Sequence, residues 1–222
     1  MSIKKDFKIK TNRFFCISDY GNWNLESDHY DKLFSLCKDF VIYHKGVETE
    51  IDQQIVDSDK FIRIRNKGSN ISDYLRFIND NYPYFPEEVG FIKGNTFPRH
   101  ISLEEFSNRL NSSGFIPLYF ESKTLKPQYN IFQQYIFQQI MPGICIEKSN
   151  NWYVKRHQKG KYFPLIENMF NRYISKSKIP KYVPFVPGAC MIVESKNILR
   201  WDKSVYEELF ESVSWQANPN PH

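Results

Sequence analysis

Four short stretches of this chain concentrate side chains able to hold or activate a ligand. The most basic is Lys93-Gly94-Asn95-Thr96-Phe97-Pro98-Arg99-His100, which follows an apolar run over 89–92. Lys93 and Arg99 can balance a phosphate or diphosphate. Gly94 lets backbone approach a ligand closely, and Asn95 and His100 can donate hydrogen bonds to it. Asn95 and His100 have no carboxylate beside them. They make a poor site for Mg2+ or Mn2+, which favour hard anionic oxygens, so the loop assigns no metal.

The second stretch, Ser18-Asp19-Tyr20-Gly21-Asn22-Trp23, ends an apolar run over 13–18. Asp19 there could accept from a base or ribose, and Tyr20 or Trp23 could stack on a base; a plain turn with a half-buried aromatic is the alternative. The third, Asn66-Lys67-Gly68-Ser69-Asn70, leads into a helix, where backbone N–H groups and Lys67 can seat a phosphate. Arg63 and Arg65 stand just upstream and could equally line a solvated strand face. The fourth holds two acids, Glu194 and Asp202, either of which could deprotonate an acceptor hydroxyl; a helix cap is the alternative for Asp202. Asp57-Ser58-Asp59 matches an acidic D-x-D pattern but precedes a strand rather than following one, so it reads as a polar loop. His29, His44, His157 and His222 show no ligand spacing. Neither a GxxxxGK[ST] loop nor a G-x-S-x-G elbow occurs.

Alternating strand and helix patterns must position these groups. Strands are expected at 13–18, 40–45, 60–65, 89–93, 116–120 and 188–194. Helices are expected over 27–37, from Ser69 through Tyr82, from a capping box at Ser102 and Glu105, over 129–141 and 162–174, and over 205–213. Residues 180–187 read as extended, 1–12 as a leading arm and 214–222 as an extended tail. The expectation is one α/β domain over 1–222, a mostly parallel central sheet flanked by helices.

Composition narrows the ligand. Thirty Lys and Arg against 25 Asp and Glu give a net charge of +5, which favours anionic ligands. Aromatics make up 17%, as core filling first and as a sugar-facing surface second. Cys16, Cys37, Cys145 and Cys190 form no C-x-x-C pair and read as buried free thiols of a reducing compartment. No leader and no membrane-length apolar run stand out, so a soluble, cytoplasmic protein is expected, with the cytoplasmic membrane surface as a further location. Nothing matches a nucleic-acid-binding motif, so no nucleic-acid partner is assigned.

The segments FVIYHKG at 40–46, NKGSNISDYLRFINDNYPYFP at 66–86, VGFIKGNTFPRH at 89–100 and VPGACMIVESKNIL at 186–199 carry a resemblance over most of 14–213. The chain is similar to an uncharacterised glycosyltransferase-like family of bacterial, fungal and viral proteins, remote relatives of GT-A nucleotide-sugar transferases. That resemblance implies a single Rossmann-like, GT-A-type domain that moves a sugar from a UDP- or GDP-linked donor to a hydroxyl on a glycan or glycoconjugate. It implies Ser18 and Asp19 at the nucleotide, Asn66 and Gly68 at the donor turn, and Lys93, Gly94 and Asn95 where such enzymes carry a metal-binding D-x-D. That acidic motif is missing here, which puts Mn2+ or Mg2+ dependence in doubt and gives Lys93, Arg99 and Arg63 the metal's part. A non-catalytic carbohydrate- or nucleotide-binding module on the same fold is the alternative. The family pattern also implies one more helix beyond the present end.

Overall fold

The computed structural model describes residues 12–21, 25–46, 51–66, 69–119, 128–129, 135–148 and 182–213. Strand β1 (Arg13–Asp19) sets the plan, because alternate side chains of a strand cover opposite faces. Phe15 and Ile17 join one core and Phe14 and Cys16 the other. The flanking strands β2 (Phe40–His44) and β4 (Glu88–Lys93) divide the same way: Phe40, Ile42 and Ile92 on the first side, Val41, Tyr43, Val89 and Phe91 on the second. A strand apolar on both faces has to be covered twice. Helix α1 (His29–Leu36) covers the first face with Tyr30 and Leu33, joined by Phe106 of α5 (Leu103–Arg109). The second is covered by α3 (Asn70–Asn81), through Tyr74, Leu75, Phe77 and Ile78, and by α6 (Ser195–Ile198) and α7 (Lys203–Val213), through Ile198 and Tyr206.

The main sheet has six strands in the order β3-β2-β1-β4-β10-β5, with β3 at Phe61–Arg63, β5 at Ile116–Pro117 and β10 at Met191–Glu194. Strands β1 to β4 are parallel; β10 runs antiparallel to both β4 and β5. This is a mixed α/β fold with a mostly parallel sheet, compatible with a Rossmann-like arrangement. The chain steps from β1 outward to β2 and β3, then returns through α3 to lay β4 on the other side of β1. The crevice beyond the carboxyl ends of β1 and β4 is therefore a topological switch point, where open α/β sheets hold ligands.

Several elements fall where their signals lie. Ser69 caps α3, accepting from the Ile71 N–H, a contact of this kind contributing about 1 kcal/mol. Ser102 caps α5 by accepting from Glu105 N–H, whereas the Glu105 carboxylate takes the Arg109 Nε–H at 2.7 Å rather than closing a reciprocal box. Other expectations need correction. Where it is described, the segment expected as a helix over 129–141 is strand: β6 (Gln128–Tyr129) and β7 (Tyr135–Met141) join β8 (Ile144–Lys148) and β9 (Tyr182–Phe185) in a second, antiparallel sheet ordered β6-β7-β8-β9. The Pro142-Gly143 pair stops no helix; it is the tip of the β7–β8 hairpin, with Gly143 at φ 79°, the geometry Gly supplies in a type II turn. The strand expected at 188–194 begins only at Met191, after a single 3-10 turn at Pro187–Ala189. The helix expected over 162–174, the arm over 1–11 and the tail over 214–222 lie outside the described residues. All four cysteines are buried, and none is joined to another in a disulfide. Among the described residues no helix is long and apolar enough to cross a membrane.

Candidate functional site

At the carboxyl end of β1, alternation sends two neighbouring polar side chains to opposite sides of the sheet. Ser18 turns toward α3 and donates to Asp73 Oδ2 at 2.5 Å. The same oxygen pairs with Lys45 Nζ at 2.8 Å, and Lys45 also donates to the Ser69 carbonyl at the α3 amino end. Burial pushes the Asp73 carboxyl upward; the Lys45 charge and the hydrogen bonds from Lys45 and Ser18 oppose it. The pair is thus a closed, buried unit joining β1, the end of β2 and α3.

Asp19 turns the other way and is 1% exposed. Its Oδ1 accepts from Tyr30 Oη at 2.9 Å, and its Oδ2 accepts from the Gly21 N–H at 3.1 Å and from His44 Nδ1 at 2.6 Å. Gly94 at the end of β4 packs so tightly on this carboxylate that a Cβ would fall 2.1 Å from Oδ1. His29 Nε2 donates to the Gly94 carbonyl at 2.6 Å, which fixes the ring's protonated nitrogen, since a carbonyl only accepts. Ser18 and Asp19 therefore brace the crevice from inside. Their expected role as direct nucleotide acceptors is corrected to a supporting one.

The crevice surface itself is basic. Thr96 Oγ1 accepts from Lys93 N–H and donates to Lys93 C=O, folding the loop after β4 back on itself. Lys93 is half-buried; burial lowers its ammonium, Arg99 and Lys45 lower it further, and Cys190 opposes. Arg99 is exposed at the rim. His100 stands under the turn at Pro187–Ala189: a Cβ on Gly188, which has φ 75°, would meet the imidazole at 2.8–2.9 Å. Burial first, then Lys93 and Arg99, pull the His100 ring down to about 4 from an ordinary 6.5. Asn70 at the start of α3 donates to the Gly188 carbonyl at 3.2 Å, so α3, the 187–189 turn and the loop after β4 meet here. Asn95 is 3% exposed, and its Oδ1, like His100 Nε2, is buried without a hydrogen-bond partner among the described residues. An unpartnered buried polar atom at a crevice is a group waiting for a ligand or a water.

Of the residues expected from sequence, Ser18, Asp19, Lys93, Gly94, Asn95, Arg99 and His100 do come together. Tyr20 is 40% exposed at the margin, and Asn66 is exposed on the segment leading to α3; Gly68 and Trp23 lie outside the described residues. The two expected bases are elsewhere. Glu194 is registered opposite Glu88, at the beginning of β4, five residues or about 17 Å from Lys93. It holds an ion pair with Lys196 at 2.6 Å. Asp202 is exposed ahead of α7, next to Trp201, whose carbonyl accepts from Tyr82 Oη at the far end of α3, about 18 Å from Asn70. Neither acid faces the crevice, which corrects the expectation that either one is its base. Asp57-Ser58-Asp59 forms the polar loop between α2 (Gln53–Val56) and β3, as read. Lys45, His29, His44, Tyr30 and Asp73 were not among the expected site residues, and Asn70 entered only as the end of the third stretch. Only Lys45, the charge closing the apolar run FVIYH, left a local signal.

Among the described residues no group of three or more His, Cys, Asp or Glu could hold a metal ion. No family model, curated protein or solved structure matches the chain.

Proposed function

We propose that the chain binds a nucleotide-linked sugar across the β1/β4 crevice and transfers the sugar to a hydroxyl acceptor, as a GT-A-type glycosyltransferase. The observation that carries this reading is the loop Lys93–His100: a basic, partly desolvated edge at the switch point of a mostly parallel sheet, with orphaned polar atoms on Asn95 and His100. Lys93 and Arg99 would take the departing diphosphate, whose developing charge a preorganised basic site stabilises. Asn66 and the α3 amino end would lie on the donor side in this reading, and the exposed Tyr20 would stack on a base. Mn2+ or Mg2+ would have to be carried mainly by the donor's own phosphates, because the carboxylates nearest the crevice, Asp19 and Asp73, are committed to buried partners.

A second reading is a binding module on the same fold. The position of Glu194 and Asp202 at the opposite end of the sheet favours it, since it leaves the crevice without either expected base. Calorimetry with UDP- and GDP-linked sugars, with and without Mn2+, followed by assay of donor hydrolysis, separates the two. The transferase reading expects binding and slow hydrolysis, and about tenfold weaker binding in Lys93→Met or Arg99→Met. Binding without any turnover over an acceptor panel supports the module, and no nucleotide binding ends both.

A further inference from the structure

His100 joins a buried ring nitrogen to two cationic neighbours. Its Nε2 is buried and has no hydrogen-bond partner among the described residues, which His44 Nε2 shares, but only His100 lies beside Lys93 and Arg99. Its ring is held between the Gly188 turn and Tyr119, 6.2 Å away between centroids, and its backbone N–H is tied to the Thr96 carbonyl at 2.8 Å. Lys93 faces it from β4 and Arg99 from α4 (Thr96–Arg99), while the 187–189 turn, Pro-Gly-Ala, brings no charged or titratable side chain. Among the described residues the charged groups that act on it are both cations. A ring so placed stays neutral while the crevice is empty of anions, since a third positive charge would be repelled and poorly solvated.

We propose that His100 is the proton-coupled member of the anion seat: it takes one proton from solvent as an oxyanion settles against Lys93 and Arg99, and holds that anion as an imidazolium. The step is imidazole plus a solvent proton giving imidazolium, and no bond of the ligand forms or breaks. The identity of the anion as a phosphate or diphosphate rests on the donor-site reading; the coupling itself asks only for an oxyanion. The mechanism is electrostatic exchange. Two of the three influences that keep the ring neutral are the charges of Lys93 and Arg99, and an anion between them cancels both. Burial, which disfavours the lone charge, then strengthens the pair once it is formed.

The sign follows from linkage. Between the ring's midpoint in the free protein and its higher midpoint in the complex, binding consumes a proton, so affinity falls about tenfold per pH unit and then levels off. Sulfate is the suitable first probe, because it does not titrate in this range and any proton taken up belongs to the protein. The experiment is an NMR titration of the His100 ring against pH, assigned with His100→Gln, in three conditions: no ligand, saturating sulfate, and saturating UDP-glucose. A midpoint near 4 in the free protein that rises by about one unit or more with sulfate supports the inference. So does a sulfate affinity that falls with pH in the wild type and is flat in His100→Gln and His100→Asn. An unmoved midpoint with sulfate bound, an equal pH slope in both variants, or no binding of either probe overturns it. The midpoints are read on the wild type, and either His100→Gln or His100→Asn, whichever folds, serves for the assignment. If sulfate moves the ring but no sugar nucleotide binds, the seat stands and the donor reading falls. If UDP-glucose binds and leaves the midpoint unmoved, the donor reading stands and this inference falls.

Discussion

Asp19 and Asp73 are adjacent to the crevice, yet both are spent on the frame. Asp19 gathers hydrogen bonds from Tyr30, Gly21 and His44, and Asp73 neutralises Lys45. Removing either carboxylate strands buried donors, which costs far more than a surface ion pair. Asp19→Ala and Asp73→Ala are each expected to lose about 3–5 kcal/mol in urea unfolding; a loss under about 1 kcal/mol would contradict the network. His100 gives a pH signature of stability. Its folded value lies near 4, below the ordinary 6.5, so the unfolded chain binds the extra proton between those values. Stability is therefore full above about pH 6.5 and falls as pH drops toward 4, by roughly 2 kcal/mol after allowing for partial exposure. In His100→Gln that part of the pH slope should vanish, as urea midpoints at pH 4.5 and 7 would show. Sequence made Lys93, Arg99 and His100 legible because charge at the end of an apolar run is a local pattern. It could not show what Asp19 was for, since its partners come from the next helix, the next strand and, through Gly94, a strand 75 positions away.

At the scale of elements, glycine placement reports which backbones touch. Gly94 admits no side chain because Asp19 Oδ1 occupies that space, whereas nothing lies within 4 Å of a Cβ on Gly114, whose φ is 90°. Gly94→Ala should lower Tm by roughly 4–8 °C, a loss of about 2 kcal/mol, while Gly114→Ala should lose about 1 kcal/mol from backbone strain alone. Equal losses would mean that the close approach is not there. The strands of the main sheet were readable because both faces are buried and their apolar runs are short and bounded. The segment at 129–141 was not. YIFQQIM fits a helical stripe and a strand equally well, and length and turn chemistry have to decide. The hairpin decides it: Ile140 and Met141, counted for an apolar helix face, are 50% and 53% exposed at its tip.

For the molecule as a whole, strand direction decides which groups share an edge. A mostly parallel sheet leads one to expect the last residue of every strand at the ligand side. Because β10 is reversed, its last residue, Glu194, lies at the end of the sheet away from Lys93, and the turn before it, with Gly188, lies beside His100 and Asn70 instead. Direction is a property of the connection, and residues 149–181, which precede β9 and β10, carry no sequence signal that fixes it. Glu194→Gln and Asp202→Asn should leave nucleotide or sulfate affinity within about twofold of wild type; a loss beyond about tenfold would place at least one of them at the ligand after all.

The Asp19 knot has a kinetic side. Its full set of contacts exists only once α1, β2 and β4 have all docked on β1, because Tyr30, His44 and Gly94 come from three separate segments. Until the last of these arrives the carboxylate keeps its water, so its burial belongs to the late, descending side of the folding barrier. Asp19→Ala should then speed unfolding strongly and change the refolding rate little. The same carboxylate that steadies the carboxyl edge of β1 and β4 would act as the latch that makes the finished sheet slow to open.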